Sequence, residues 1–94
     1  MKVKVHYFAS VRELVNLREE VIDVPVGTDV RGLLDVLAEK HGDKLREYIF
    51  DTNRSPRPHL QFILNEKSIS GTGGFSTVLT DGCTFAIIPP VGGG

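Results

Sequence analysis

Ninety-four residues, 40% of them apolar, suffice for one hydrophobic core and are too few for two. Eleven Lys and Arg stand against twelve Asp and Glu, net −1, without a basic block or an aromatic-plus-arginine stripe, which argues against nucleic acid as the main partner. No apolar run approaches the ~20 residues of a membrane span, the start lacks the apolar stretch of a signal peptide, and a lone cysteine, Cys83, excludes an internal disulfide. A reducing cytoplasm is the simplest location for such a chain.

The opening residues alternate, Lys2, Lys4 and His6 against Val3, Val5 and Tyr7, which predicts a half-buried strand. Val11, Leu14, Val15 and Leu17 fall at helical spacing, so a short helix is expected over Ser10 to Leu17. β-rich character returns from Glu20 to Val24 and ends at Pro25-Val26-Gly27. The strongest helical pattern runs from Val30 to His41, with Thr28 or Asp29 as its cap and Gly42 as a left-handed stop. Gly32 costs that helix about 1 kcal/mol relative to Ala, and a close packing contact is the simplest reason for it.

A further helical turn is expected between Lys44 and Phe50, then a loop from Asp51 to Pro58. His59 to Asn65 reads as a strand with Ile63 on the face opposite Leu60, Phe62 and Leu64. Glu66 to Thr77 is glycine-rich and reads as irregular, Asp81-Gly82 as a turn, and Cys83 to Ile88 as the last strand. Two strands, a long helix and at least two more strands suit a mixed sheet wrapped over one main helix, an α+β roll.

The end of the chain is the most informative segment. Pro89-Pro90-Val91 leads directly into Gly92-Gly93-Gly94. With glycine usage of about 7%, such a terminal run arises by chance in well under 0.1% of chains. Glycine costs more entropy to order than any other residue, so the run adds nothing to a core. It makes a bare main-chain arm, and its carboxylate becomes the candidate functional group. Pro89 and Pro90 favour a stiff, extended exit, and the four residues after Pro90 can reach about 14 Å at 3.3–3.6 Å each. Residues 1–91 are thus expected to form the folded domain and 92–94 a flexible tail.

These segments resemble a known family. Phe8-Ala9-Ser10-Val11-Arg12-Glu13 is similar to the opening, and Asp81-Gly82 with Ala86-Ile87-Ile88-Pro89-Pro90-Val91-Gly92-Gly93-Gly94 to the ending, of the MoaD/ThiS family of ubiquitin-like sulfur carriers, which includes the small subunit of molybdopterin synthase. Asn65 stands where that family often has an Asn opening a hairpin. Cys83-Thr84 in place of an acidic step, Gly92 in place of Ala and the Asp51 to Pro58 loop depart from the pattern and resemble the archaeal branch, which includes sulfur carriers and protein modifiers.

The resemblance implies a β-grasp fold and a function for the tail. A terminal carboxylate is an anion at pH 7 and resists nucleophiles. Adenylation with ATP by a separate MoeB-like, ubiquitin-activating-type enzyme would make Gly94 an acyl donor. Sulfur replacing AMP would leave a thiocarboxylate, a soft nucleophile as a thiolate is. In the family it is delivered in molybdenum or tungsten cofactor synthesis within a MoaE-like large subunit. The alternative is a ubiquitin-like modifier whose activated Gly94 joins lysines of target proteins. A ThiS-like carrier for thiazole synthesis is a third option.

Strand parity supplies a docking surface. Phe8 breaks the polar series of the first strand, Ile63 opposes Phe62, and Ala86 and Ile88 oppose Phe85 and Ile87. Phe8, Ile63, Ala86 and Ile88 are expected to form an exposed apolar patch at the root of the tail. Other signals are weaker. His6, His41 and His59 lack metal-ligand spacing, Gly71-Thr72-Gly73-Gly74 lacks the Lys-Ser/Thr of a P-loop, and Cys83 reads as a small core residue. Arg54 and Arg57 read as solvated loop charges, and Arg12-Glu13 as a helix-surface feature. With no acid, base or nucleophile constellation, and with no bound cofactor or metal expected, the chain reads as a protein cosubstrate and not as an enzyme.

Overall fold

A computed structural model describes residues 1–90. β1 (Lys2–Tyr7) and β2 (Glu19–Asp23) form an antiparallel pair joined through a short helix, α1 (Ala9–Val15). Two helices follow, α2 (Val30–His41) and α3 (Asp43–Ile49), then β3 (Gln61–Leu64), the two-residue β4 (Lys67–Ser68), two 3-10 turns at Ile69–Gly71 and Gly74–Ser76, and β5 (Thr84–Ile88). The sheet order is β2-β1-β5-β3-β4, and the central β1–β5 pair is parallel. This is the α+β, ubiquitin-like β-grasp roll that the element order and the resemblance imply.

Period-two patterning dictates which face is buried. Val3, Val5 and Tyr7 of β1, Phe62 of β3, and Phe85 and Ile87 of β5 point into one core. The helical stripe Val30, Leu33, Leu34, Leu37 and Ala38 of α2 closes it from the other side, joined by Leu45 and Ile49 of α3. Asp29 caps α2 by accepting from the Gly32 amide at 2.8 Å. A Cβ at position 32 would lie 3.0 Å from Thr28 Cγ2 and 3.3 Å from Asp29 Oδ1, so both side chains would have to give by a few tenths of an ångström.

Several local expectations are corrected. Gly42 ends α2 at a positive φ of 91°, but its ψ of −169° is extended rather than left-handed. The same residue precedes α3, so one glycine both ends α2 and leads into the next helix. The stretch from Glu66 is not wholly irregular: β4 pairs with β3 through Ile63–Ser68 and Leu64–Lys67. Asn65 and Glu66 both take positive φ, 49° and 69°, as a two-residue type I′ hairpin demands. The Asn65 side chain accepts from the Thr84 amide at 3.0 Å, tying that hairpin to β5. Arg57 is not a simple solvated charge, because its Nε donates to the Glu47 carbonyl at 2.9 Å and fastens the loop to α3.

Candidate functional site

The tail leaves from the middle of the sheet. β5 lies between β1 and β3, and Tyr7 pairs with Ile87 at the end of the parallel ladder. Of the predicted exit, Pro89 is buried and Pro90 is exposed. Val91, Gly92, Gly93 and Gly94 lie outside the described residues.

The register places Ile63 opposite Ala86 and Gln61 opposite Ile88, so Ile63, Ala86 and Ile88 share the face turned away from the core. All three are half-buried. Phe8 follows β1 with extended φ −127° and ψ 149°, which continues the strand parity onto that same face, and it is 40% exposed. The register thus brings Ile63, Ala86 and Ile88 onto one face, and Phe8 follows β1 in extended backbone at the same end of the sheet. Two members were missed. His6 pairs with Ala86 in the rung that contains Ile63, and Val21, 55% exposed, stands opposite Lys4. Even-number parity along β1 already pointed to His6. At the sheet edge, Lys2 pairs with Asp23 at 3.2 Å and Lys4 with Glu19 at 3.5 Å.

The turn into α1 is tightly specified. Ala9 begins the helix at φ 51°, a left-handed conformation that costs an alanine roughly 1–2 kcal/mol. The Phe8 carbonyl accepts from the amides of Val11 at 3.1 Å and Arg12 at 3.4 Å. Arg12 Nε donates to the Tyr7 carbonyl at 3.1 Å, and its guanidinium carbon stands 5.9 Å from the Phe8 ring centre. Val11 is fully buried, and Ser10 Oγ lies 2.7 Å from the Tyr48 hydroxyl of α3.

Beneath this corner, on the core side, a charged cluster joins three elements. Glu20 of β2 accepts from Tyr7 Oη at 2.5 Å and Lys40 Nζ at 2.6 Å, and its Oε2 lies 2.5 Å from His41 Nε2. Its side chain is only 8% exposed. Burial pushes the Glu20 carboxyl upward, but bonds from Lys40, Tyr7 and His41 outweigh that and hold it below the usual carboxylate range. Burial first, and then the Glu20 carboxylate, drive the Tyr7 phenol well above its ordinary value. His41 thus belongs to a structural cluster, and among the described residues no three metal-ligating side chains converge.

The outward sheet face of Ile63, Ala86 and Ile88 lies beside Pro89 and Pro90, which follow β5. A groove of about 860 Å³ between α2, α3 and the loop at Asp51–Arg54 is lined by charges of both signs, with Arg31 stacked 4.4 Å over Phe50. It is built from different elements from that sheet face. No described helix is long and apolar enough to cross a membrane.

Residues 5–94 match the ThiS family. The chain belongs to that family. It is 41% identical to the molybdopterin synthase sulfur carrier subunit of Mycobacterium tuberculosis, over 100% of this chain and 99% of that protein. It is 27% identical to small archaeal modifier protein 3 of Haloferax volcanii, over 100% of both chains. The solution structure of small archaeal modifier protein 1 from Methanosarcina acetivorans superimposes with a TM-score of 0.86 at 28% identity, over 99% of this chain and 96% of that one. These relatives are named as a sulfur carrier subunit and as modifier proteins, none of them as an enzyme.

Proposed function

We propose that this protein is the sulfur carrier subunit of a molybdopterin synthase, active through the carboxylate of Gly94. The observation that carries the reading is the placement of the tail's root: Pro89 follows the central strand β5, beside the outward face of Ile63, Ala86, Ile88 and Phe8. A partner held on that face would have Gly92-Gly93-Gly94 at hand, with no side chain to obstruct entry into a narrow active site. The 41% identity to a sulfur carrier subunit, over 100% of this chain, supports the same assignment.

In this reading a MoeB-like enzyme uses ATP to adenylate Gly94. A sulfur donor then displaces AMP, and a MoaE-like large subunit accepts the sulfur during molybdenum or tungsten cofactor synthesis. The protein itself binds no cofactor, and the domain ends near Val91, leaving 92–94 as the arm. A reducing cytoplasm preserves both the Cys83 thiol and a thiocarboxylate. The second reading, a modifier joined through Gly94 to lysines of target proteins, is favoured by the full-length relationship to a modifier protein.

Intact-mass and conjugate mass spectrometry of the protein from its native cell separates the two. The carrier reading expects a population with one terminal oxygen exchanged for sulfur, which converts a pterin precursor when mixed with the large subunit. Abundant isopeptide conjugates without thiocarboxylate, in cells making the cofactor, overturn it in favour of the modifier.

A further inference from the structure

We propose that Arg12 is a positioning residue for the docking face: it fixes the Phe8 ring in its outward orientation before any partner arrives. The inference rests on the reading of that face as the docking surface. Phe8 is a large apolar side chain that is 40% exposed, and a half-exposed phenylalanine at a strand end has rotamer freedom to lose on binding. Its surroundings remove that freedom beforehand. The backbone on one side is held by the extended β1 pairing, and on the other by the left-handed Ala9 and the two amides that bond the Phe8 carbonyl.

The guanidinium of Arg12 is set over the Phe8 side chain. Arg12 Nε is committed to the Tyr7 carbonyl at 3.1 Å, which orients the planar guanidinium, and the group then stands 5.9 Å from the Phe8 ring centre. Cation–π attraction acts at up to about 6 Å from a ring centre. The helix that carries Arg12 is anchored by the fully buried Val11 and by the Ser10–Tyr48 contact. Among the described residues Arg12 makes no ion pair with a carboxylate, so the guanidinium is free to serve the ring. A lysine could not hold the carbonyl and the ring together, since it lacks the rigid planar fork.

The test begins with the free protein, so it does not depend on the partner. NMR couplings and relaxation of the Phe8 side chain should report one dominant χ1 rotamer in the wild type and averaging in Arg12→Met. Arg12→Gln, which is polar, suits a helix and is too short to reach both targets, should behave alike and serves if Arg12→Met folds poorly. Unchanged Phe8 couplings in a folded variant overturn the proposal, whatever the fate of the docking reading. Binding to the large molybdopterin synthase subunit of the same organism supplies the second arm. Losing one pre-ordered side chain predicts a roughly 2- to 10-fold rise in Kd, and in the Phe8→Ala background the same substitution should change nothing further. A full Arg12 effect that persists without Phe8 would instead make Arg12 a direct partner contact and overturn the positioning role. If Phe8 becomes mobile in the variant yet Phe8→Ala binds normally, the docking reading fails and the positioning of the ring stands.

Discussion

The hydroxyl of Tyr7 donates to the carboxylate of Glu20 across 2.5 Å, joining the end of β1 to the edge strand β2 beside it. Lys40 and His41 reach the same carboxylate from the last turn of α2. One side chain thus fastens β1, β2 and the main helix together, at the end of the sheet from which the tail departs.

Replacing Glu20 tests how much that junction contributes. Glu20→Gln keeps the shape but loses the charge, and should cost roughly 1–3 kcal/mol at pH 7, read from the denaturant midpoint at unchanged slope. The sign with pH follows from the lowered carboxyl. The unfolded chain takes up its proton first as pH falls, so the contribution is complete above the ordinary value near 4.5 and is lost as pH drops through the lower folded value. The gap between wild type and variant should therefore close in acid. Asp23 adds to the same acid limb, because the N-terminal ammonium and Lys2 hold its carboxyl low. Tyr7 acts at the opposite end. Its raised phenol gives stability that is present below pH 10.0 and lost as pH rises beyond it, and Tyr7→Phe should remove that alkaline sensitivity.

Parity and helical spacing made the fold legible, since alternation in β1 and β5 and the Val30 to Ala38 stripe each have a single buried face. The same parity put Phe8, Ile63, Ala86 and Ile88 on one face. What stayed hidden depends on contacts distant in sequence. His41 looked isolated because Tyr7 and Glu20 are 34 and 21 positions away in the numbering, and only folding brings them to it. β4 was missed because two residues carry no period, and its evidence lay in the turn at Asn65-Glu66. Gly42 was read as a helix stop without its ψ, which the immediate start of α3 determines.

That last position makes a direct prediction. At φ 91° and ψ −169° Gly42 occupies a region open in practice to glycine alone, and a Cβ there would meet no neighbour within 4 Å. Gly42→Ala is therefore destabilising through backbone strain and not through a clash. A loss of about 1–3 kcal/mol is expected. Thermal denaturation measures it, and an unchanged melting temperature would mean the α2–α3 junction can bend another way.

The hairpin turn offers the opposite sign. Glu66 holds φ 69° in a turn whose preferred sequence is Asn-Gly. Glu66→Gly supplies that pair, relieves the left-handed strain and should stabilise the protein by roughly 0.5 kcal/mol after the added flexibility of the unfolded chain is subtracted. Destabilisation on chemical denaturation would show that the glutamate side chain contributes elsewhere.

The docking face is tested by charge. Phe8→Asp or Ile88→Asp places a carboxylate among Ala86 and Ile63, where a bound partner would have to desolvate it. Affinity for the large synthase subunit should fall by roughly 30-fold or more, as for a central anchor of an interface. Both side chains lie on the face away from the core, so the melting temperature should change far less than for Leu37→Ala, a fully buried residue whose loss costs about 2–5 kcal/mol. A collapse of stability comparable to Leu37→Ala would make either residue part of the core.

Removing the last two glycines separates folding from function most cleanly. Gly93 and Gly94 carry no side chains, and apolar burial among the described residues runs only to Ile87 and Pro89. Deletion therefore removes no apolar side chain from the core, and the melting temperature should stay within about 1 °C, since even 1 kcal/mol shifts a domain of this size by only 4–8 °C. The docking face is untouched, so the truncated protein should still bind the large subunit. In the proposed function its terminal carboxylate, now on Gly92, would be two residues short of the position that the activating enzyme meets. Pyrophosphate exchange with ATP in the presence of that enzyme should drop to background. A truncated protein that still supports exchange would mean that the reacting group is not the carboxylate of Gly94.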